Sequence, residues 1–267
     1  MKKISVVIPS YNHSNYIEAC LDSVYFQDYP DIEIIIVDDN SQDNSSEVIS
    51  NWISRTENAE ASFASRYNEE KDEIKRVYHK RYNRLNRTII FEKNKENLGS
   101  TASYNKGFKL ATGEYCTFIV SDDIAHPQML STLAIPLDND EADFTYCDMF
   151  IIDDQHRILR EFTLPDYSFQ KSFCDWYLCG VATLYRRALH LRHGFYDETA
   201  LADDHECYLR FAMNGARFQH IPMTLYSVRS HDNREVGLHS QERFTALLNH
   251  SKKLTLKARR WHEDNNR

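Results

Sequence analysis

No apolar stretch in this chain reaches the ~18 residues that a membrane-crossing helix needs, so nothing in it reads as a transmembrane span. The start, Met1-Lys2-Lys3, is basic like a signal peptide, but the apolar residues 4–9 run straight into Ser10-Tyr11-Asn12-His13 and read better as a first strand. Paired cysteines are missing too: Cys20, Cys116, Cys147, Cys174, Cys179 and Cys207 are scattered without zinc-site spacing. Free thiols in a reducing compartment, and a cytoplasmic location, are the expectation. There is no basic excess. A net charge of −8 opposes non-specific attraction to nucleic acid, so no such partner is expected. It leaves room for a bound nucleotide, because a divalent cation can bridge acidic protein and anionic phosphate. Internal repeats and low-complexity tracts are absent as well. What is present is an ordinary globular composition, 42% hydrophobic and 27% charged, in 267 residues. That length suits one large domain or two fused halves.

Strand and helix signals alternate through the first half, which predicts βαβ units and a mainly parallel sheet. Strands are expected at 4–9, 32–38, 88–92 and 115–120. Between them, Tyr16, Ile17, Cys20, Leu21 and Val24 recur at helical spacing, as do Val48, Ile49, Trp52 and Ile53. Asn44 with Glu47 has the form of a capping box, and a third helix over 100–110 is expected to end at Gly113 in the left-handed conformation.

Two of the strand runs close on paired acids, Val37-Asp38-Asp39 and Val120-Ser121-Asp122-Asp123. Ligands of open α/β sheets bind beyond the carboxyl ends of parallel strands, so these pairs are placed to meet in one crevice. Carboxylates there suit the polar edges of a nucleotide and a hard cation holding its phosphates. For either pair alone, a turn or helix-cap role stays open.

Residues 55–87 break the rhythm with a charged stretch that includes Glu69-Glu70-Lys71-Asp72-Glu73, and the expectation is a solvent-facing helical insertion. Beyond Asp123, residues 144–152 and 157–162 read as antiparallel strands joined at Asp153-Asp154-Gln155-His156. Residues 240–267 read as a polar helical tail, whose Lys252, Lys253, Lys257, Arg259 and Arg260 serve either as a solvated face or as a contact for anionic lipid.

Four blocks carry a family likeness. They are Ser5-Val6-Val7-Ile8-Pro9-Ser10-Tyr11-Asn12 with Leu21-Asp22-Ser23-Val24 and Val37-Asp38-Asp39-Asn40-Ser41; Glu96-Asn97-Leu98-Gly99 with Asn105-Lys106-Gly107 and Ala111-Thr112-Gly113-Glu114-Tyr115; Ser121-Asp122-Asp123; and Gly194-Phe195-Tyr196-Asp197-Glu198 with Ala202-Asp203-Asp204-His205-Glu206. In this order the chain resembles the inverting family 2 glycosyltransferases of GT-A fold over about residues 4–231, the insertion apart. The resemblance implies an α/β fold: a Rossmann-like, mostly parallel central sheet flanked by helices, with a small antiparallel acceptor-side sheet. It also implies a transferase domain over 1–239, with a nucleotide half of about 1–123 and an acceptor half of about 124–239, followed by the tail.

By the same resemblance, Pro9, Tyr11, Asp38, Asp39, Asn97, Gly99, Asn105 and Asp122 are nucleotide-binding, Asp39 being suited to accept the imide hydrogen of uracil. Asp123 and His231 are expected at a divalent cation, Mn2+ or Mg2+, and Asp204 as the base that deprotonates an acceptor hydroxyl. Trp176, Gly180 and Asp203 are expected either on the acceptor side or in support of the residues that touch substrate. Two positions depart from the family pattern: Val120 stands where an acid is common, and Asp203 where glutamate is usual. The implied activity is metal-dependent, inverting transfer from a nucleotide-sugar, with UDP as the expected nucleotide, to a glycan or lipid-linked sugar in surface polysaccharide assembly. A peripheral contact with the inner face of a membrane belongs to this expectation. The alternatives are a catalytically silent nucleotide-binding or scaffolding protein, and a nucleotidyltransferase, whose Gly-rich basic loop is replaced here by Ser10-Tyr11-Asn12-His13-Ser14.

Overall fold

The computed structural model describes residues 1–58, 60–80, 86–175, 180–230 and 241–265. The first half runs β1 (Ile4–Ser10), α1 (Ile17–Tyr25), β2 (Asp31–Asp38), α2 (Ser45–Asn58), β3 (Glu60–Asn68), β4 (Glu73–Lys80), β5 (Asn86–Lys93), α3 (Ser100–Leu110) and β6 (Tyr115–Phe118). Every residue of β1 is buried, and Ile32 to Asp38 of β2 are buried too. Strands covered on both faces read as continuous apolar runs, which is why these two stood out in the sequence. β5, β2, β1 and β6 lie side by side in that order, each pair parallel. The chain steps outward from β1 through β2 to β5, then returns to β6 on the other side of β1. That reversal opens a crevice at the carboxyl ends of β1 and β6.

Helix packing is fixed by a few contacts. Trp52 of α2 sits edge-on to Tyr25 of α1 at 5.9 Å between ring centroids, and its indole N–H donates to Asp22 at 2.8 Å. α3 lies close on β1 because Gly107 has no side chain; a Cβ there would stand 2.3 Å from Cγ1 of Val7. Gly113 serves differently from the expected left-handed terminator. α3 is capped at Ala111 with φ −59, and a Cβ on Gly113 would lie 2.7 Å from the Ser5 backbone nitrogen. Close approach to β1, not backbone handedness, requires the glycine.

The second half comprises β7 (Ile124–Ala125), α4 (Met129–Asp138), β8 (Phe144–Ile152), β9 (Ile158–Phe162), a π-helical turn (Gln170–Asp175), β10 (Thr183–Arg186), α5 (Ala188–His193), α6 (Asp203–Met213), β11 (Phe218–Arg229) and α7 (Gln241–Asn265). Its strands continue the same nine-stranded sheet in the order β6-β10-β8-β11-β7, with β9 hydrogen-bonded to β8. β8 and β9 are antiparallel as expected, and the Asp153 carboxylate holds their turn by accepting the backbone N–H groups of Gln155 and Arg157, each at 2.9 Å. α7 packs against the π-helical turn and α6, burying Leu254 and Ala258. Cys20, Cys116, Cys147, Cys174 and Cys207 are buried free thiols. Among the described residues no helix is long and apolar enough to cross a membrane.

The charged insertion is the main correction to the sequence reading. It is an antiparallel hairpin, not a helix: β3 and β4 pair with each other as a separate two-stranded sheet. The run Glu73-Ile74-Lys75-Arg76-Val77 places its two apolar residues three apart, a helical spacing, and the density of charge hid the strand. The turn carries the stronger signal. The Asn68 side chain accepts from the Glu70 N–H at 3.1 Å, and Asp72 adopts φ 50, a conformation that Asp tolerates.

Candidate functional site

Parallel register sets the floor of the site. Ser10 is level with Asp38, and Asp38 with Lys93, so Tyr11, Asp39 and Asn94 leave the sheet along one edge. The Ile119 N–H donates to Val7 O at 2.9 Å and Val7 pairs with Phe118, so Pro9 turns its donor-less nitrogen toward a gap that β6 has already left. Tyr11 stands 42% exposed at the mouth. Asn12, at φ 55, accepts the Gln42 N–H at 2.7 Å and so stitches the loop after β1 to the loop after β2.

The two acids after β2 do different work. Asp38 is fully buried and accepts the Ser41 hydroxyl at 2.5 Å, with Lys93 Nζ 3.9 Å away; it holds its own turn. Asp39 reaches across to the segment before α3. Its Oδ1 accepts Asn94 Nδ2 and the Leu98 N–H, and its Oδ2 accepts the Gly99 N–H, all at 2.8 Å. Asn97 adds its side-chain oxygen to the Gly99 N–H at 3.2 Å. Gly99 has φ 88 and no atom within 4 Å of where a Cβ would stand, so it meets the left-handed requirement and borders open space.

Beyond β6, Ser121 Oγ lies 2.7 Å from His13 Nδ1, which closes the crevice between the ends of β1 and β6. Asp122 and Asp123 follow, both buried. Asp123 accepts the Tyr226 hydroxyl at 3.0 Å on one oxygen and the Arg229 N–H at 2.8 Å on the other. Burial first, and then the charge of Asp123, push the Tyr226 phenol well above its ordinary range, so it stays a donor. Arg229 is 1% exposed and spans the acidic turn: Nε donates to Asp122 O at 2.8 Å, one terminal nitrogen to Asp153 O at 2.9 Å, and the guanidinium sits 5.1 Å from the Tyr16 ring centre. Among the described residues, no group of three or more His, Cys, Asp or Glu side chains is arranged to hold a metal ion. Two adjacent carboxylates still fit Mg2+ or Mn2+ chemistry, which typically combines one or two protein carboxylates with substrate phosphates and water.

Asp203 and Asp204 open α6. Asp203 accepts the Thr101 hydroxyl at 2.5 Å and the Asp204 N–H at 2.8 Å, which ties α6 to the first turn of α3 next to Gly99. One oxygen of Asp204 accepts the His205 N–H at 2.7 Å, and the other lies 3.6 Å from where a Cβ on Gly180 would stand. A glycine there leaves room beside that carboxylate. His205 is buried, and desolvation, helped by His250, takes its pKa down to about 4, so it is a neutral neighbour.

The residues expected at the site therefore divide. Pro9, Tyr11, Asp38, Asp39, Asn97, Gly99, Asp122 and Asp123 come from one edge of the sheet, and Asp203, Asp204 and Gly180 are joined to that edge through Thr101. Asn105 sits deeper along α3. Its amide donates to Tyr196 O and Glu198 at 2.9 Å each and accepts the Tyr196 N–H at 3.0 Å, which fixes the loop before α6. Trp176 and His231 lie outside the described residues. Sequence reasoning passed over Asn94 as a partner of Asp39, and over Arg229. A lone arginine closing the mostly apolar run Leu225-Tyr226-Ser227-Val228 was the one available signal.

Known proteins bear the same stamp. The sequence model described as Glycosyl transferase family 2 matches residues 5–84 and 68–193. An uncharacterized glycosyltransferase of Methanocaldococcus jannaschii is 27% identical over 238 residues, spanning 86% of this chain and 72% of its own length. S. aureus TarS, solved in complex with UDP-GlcNAc, superposes with a TM-score of 0.65 at 21% identity, over 87% of this chain and 60% of that one. The mannosyltransferase PcManGT from Pyrobaculum calidifontis, solved with GDP-Man and Mn2+, gives a TM-score of 0.63 at 19% identity, over 96% of this chain and 64% of that one. The present chain thus spans less than two thirds of these two solved proteins, whose likeness shows a shared GT-A fold. With well over half its length matched by the family model, the chain belongs to glycosyl transferase family 2.

Proposed function

We propose that this chain transfers a sugar from a UDP-sugar to a hydroxyl of a glycan or lipid-linked sugar, with inversion at the anomeric carbon, in the assembly of a surface polysaccharide. The observation that carries the reading is the junction of a strand-end acid with a helix-start acid: Asp39 and Asp203 grip the two sides of the α3 N-terminus. Asp39 faces the base, Tyr11 offers an exposed ring at the mouth, and Gly99 leaves the backbone open to the donor. A divalent cation held at Asp123 and His231, with Asp122 facing the ribose or the donor sugar, would neutralise charge on the departing diphosphate. Asp204 takes the acceptor proton. Its place in the first turn of α6 favours the charged carboxylate, and Gly180 leaves space for the incoming hydroxyl. In-line attack from that side expels the nucleoside diphosphate from the opposite face, and no covalent sugar–protein intermediate forms. The acceptor side also carries α7, whose basic and apolar outer row suits a peripheral contact with an anionic membrane.

The test is diphosphate release from a panel of nucleotide-sugars with Mn2+, with and without chelator. Asp204→Asn is expected to lower turnover by at least about 100-fold, the usual scale of general-base loss, while UDP affinity stays within a factor of about three. A fully active Asp204→Asn protein would falsify the base assignment. Metal-independent turnover would remove the cation, and absence of turnover with every donor would leave a nucleotide-binding protein.

A further inference from the structure

We infer that Asn94 is a specificity-determining residue, held by Lys106 and Ser103 so that the Asp39 carboxylate keeps one acceptor position for the nucleotide base. The inference rests on the reading of Asp39 as the base-binding acid. A carboxylate has about four lone-pair sites over its two oxygens. Asn94 Nδ2 and the Leu98 N–H fill Oδ1, and the Gly99 N–H takes one of the two positions on Oδ2. One position is left, on Oδ2.

The orientation of Asn94 is dictated by its neighbours. Lys106 Nζ can only donate, and it stands 3.0 Å from Asn94 Oδ1, itself steadied by Glu92 at 3.1 Å. The carboxamide NH2 is therefore turned the other way, toward Asp39 at 2.8 Å and Ser103 Oγ at 3.1 Å. A flipped amide would set its NH2 against an ammonium and its oxygen against a carboxylate. The backbone is pinned as well, since the Asn94 N–H donates to Asp38 O at 2.8 Å. Asn94 and Ser103 are both buried, so water does not compete for these positions.

A single acceptor matches a pyrimidine with one imide N–H, as in uracil. Guanine presents two adjacent N–H donors on its pairing edge, and a carboxylate satisfies both only when each oxygen has a free position. With Oδ1 filled, one guanine donor is stranded, a loss of roughly 10- to 100-fold in affinity for a buried unsatisfied group.

Titration calorimetry of the whole chain with UDP and with GDP, in Mn2+, tests this. The wild type is expected to bind UDP at least about tenfold more tightly than GDP. Asn94→Ala frees Oδ1, and the UDP-to-GDP ratio is expected to fall about tenfold, chiefly through a gain for GDP. Lys106→Met lets the amide turn and should move the ratio the same way, which covers the case of a poorly folded Asn94→Ala. A merely structural role would weaken both nucleotides alike and leave the ratio unchanged in both variants, and that result overturns the inference. Equal wild-type affinity for UDP and GDP also overturns it, while leaving a nucleotide-sugar transferase standing. Unaltered UDP binding by Asp39→Ala removes the base-binding reading itself and the inference with it.

Discussion

At the scale of single residues, the site depends on one buried cation. Arg229 gives its side chain to the carbonyls of Asp122 and Asp153 and its main chain to Asp123, so the acidic turn and the β8–β9 turn share one clamp. Replacing it by methionine keeps the volume but strands the two carbonyls. Arg229→Met is expected to lose about 3 kcal/mol of stability, the scale of two buried carbonyls left without donors, read from the midpoint of urea unfolding, and to weaken Mn2+-dependent UDP binding. Arg229→Lys should recover little of either, because an ammonium lacks the planar fork that reaches both carbonyls. A loss under 1 kcal/mol would show that the clamp is redundant. The acids themselves were visible in the sequence as pairs, but their separate tasks were not. Asp38 and Asp39 look equivalent in the chain; only the fold turns one inward to Ser41 and the other across to Leu98 and Gly99. Asn94 escaped notice for the same reason, since its meaning comes from Lys106, 12 positions away, and from Asp39, 55 positions away at the end of the neighbouring strand.

At the scale of elements, α3 joins the strand-end acid Asp39 to the start of α6. Asp39 receives the N–H groups that lead into the helix, and one turn later Thr101 donates to Asp203, beside Asp204. The helix can hold this position because Gly107 lets it settle against Val7. Thr101→Val keeps the shape and removes the link, so the expected result is a fall in kcat of about tenfold with UDP affinity nearly unchanged. Equal losses in both would mean that Thr101 supports the nucleotide end instead. The parallel elements were readable because doubly covered strands are continuous apolar runs, and α3 because its pattern and length agree with its bounds of Ser100–Leu110. The β3–β4 hairpin was misread as a helix because a density of Lys, Arg and Glu suits either form.

At the scale of the whole molecule, charge is unevenly spread. The chain carries a net −8, yet residues 251–261 hold Lys252, Lys253, Lys257, Arg259 and Arg260 and no acid. Arg259 is tied inward, donating to Cys174 O at 2.7 Å. The outer face of α7 presents Phe244, Leu248, Lys252, Leu256 and Arg260 at successive four-residue steps, all exposed, with Lys253 and Lys257 flanking them. Residues four apart are neighbours on a helix, so this row, three apolar side chains interrupted by Lys252 and ended by Arg260, winds across the exposed face among further cations, a composition that suits a lipid interface. The same helix reaches the start of α6: His250 Nδ1 accepts the Leu201 N–H at 3.1 Å, just before Asp203 and Asp204, and α7 packs on the turn that precedes Gly180. Docking this strip on a bilayer would bring the candidate base toward lipid-linked acceptors. The protein is expected to sediment with vesicles containing anionic phospholipid but not with purely zwitterionic ones, more weakly as salt rises. Lys253→Glu with Lys257→Glu should abolish this, and Leu256→Asp should weaken it at every salt concentration. Vesicle binding that ignores these changes would place the contact elsewhere, and a dimer in solution dissolved by Leu256→Asp would assign the strip to a second copy of the chain instead of to lipid.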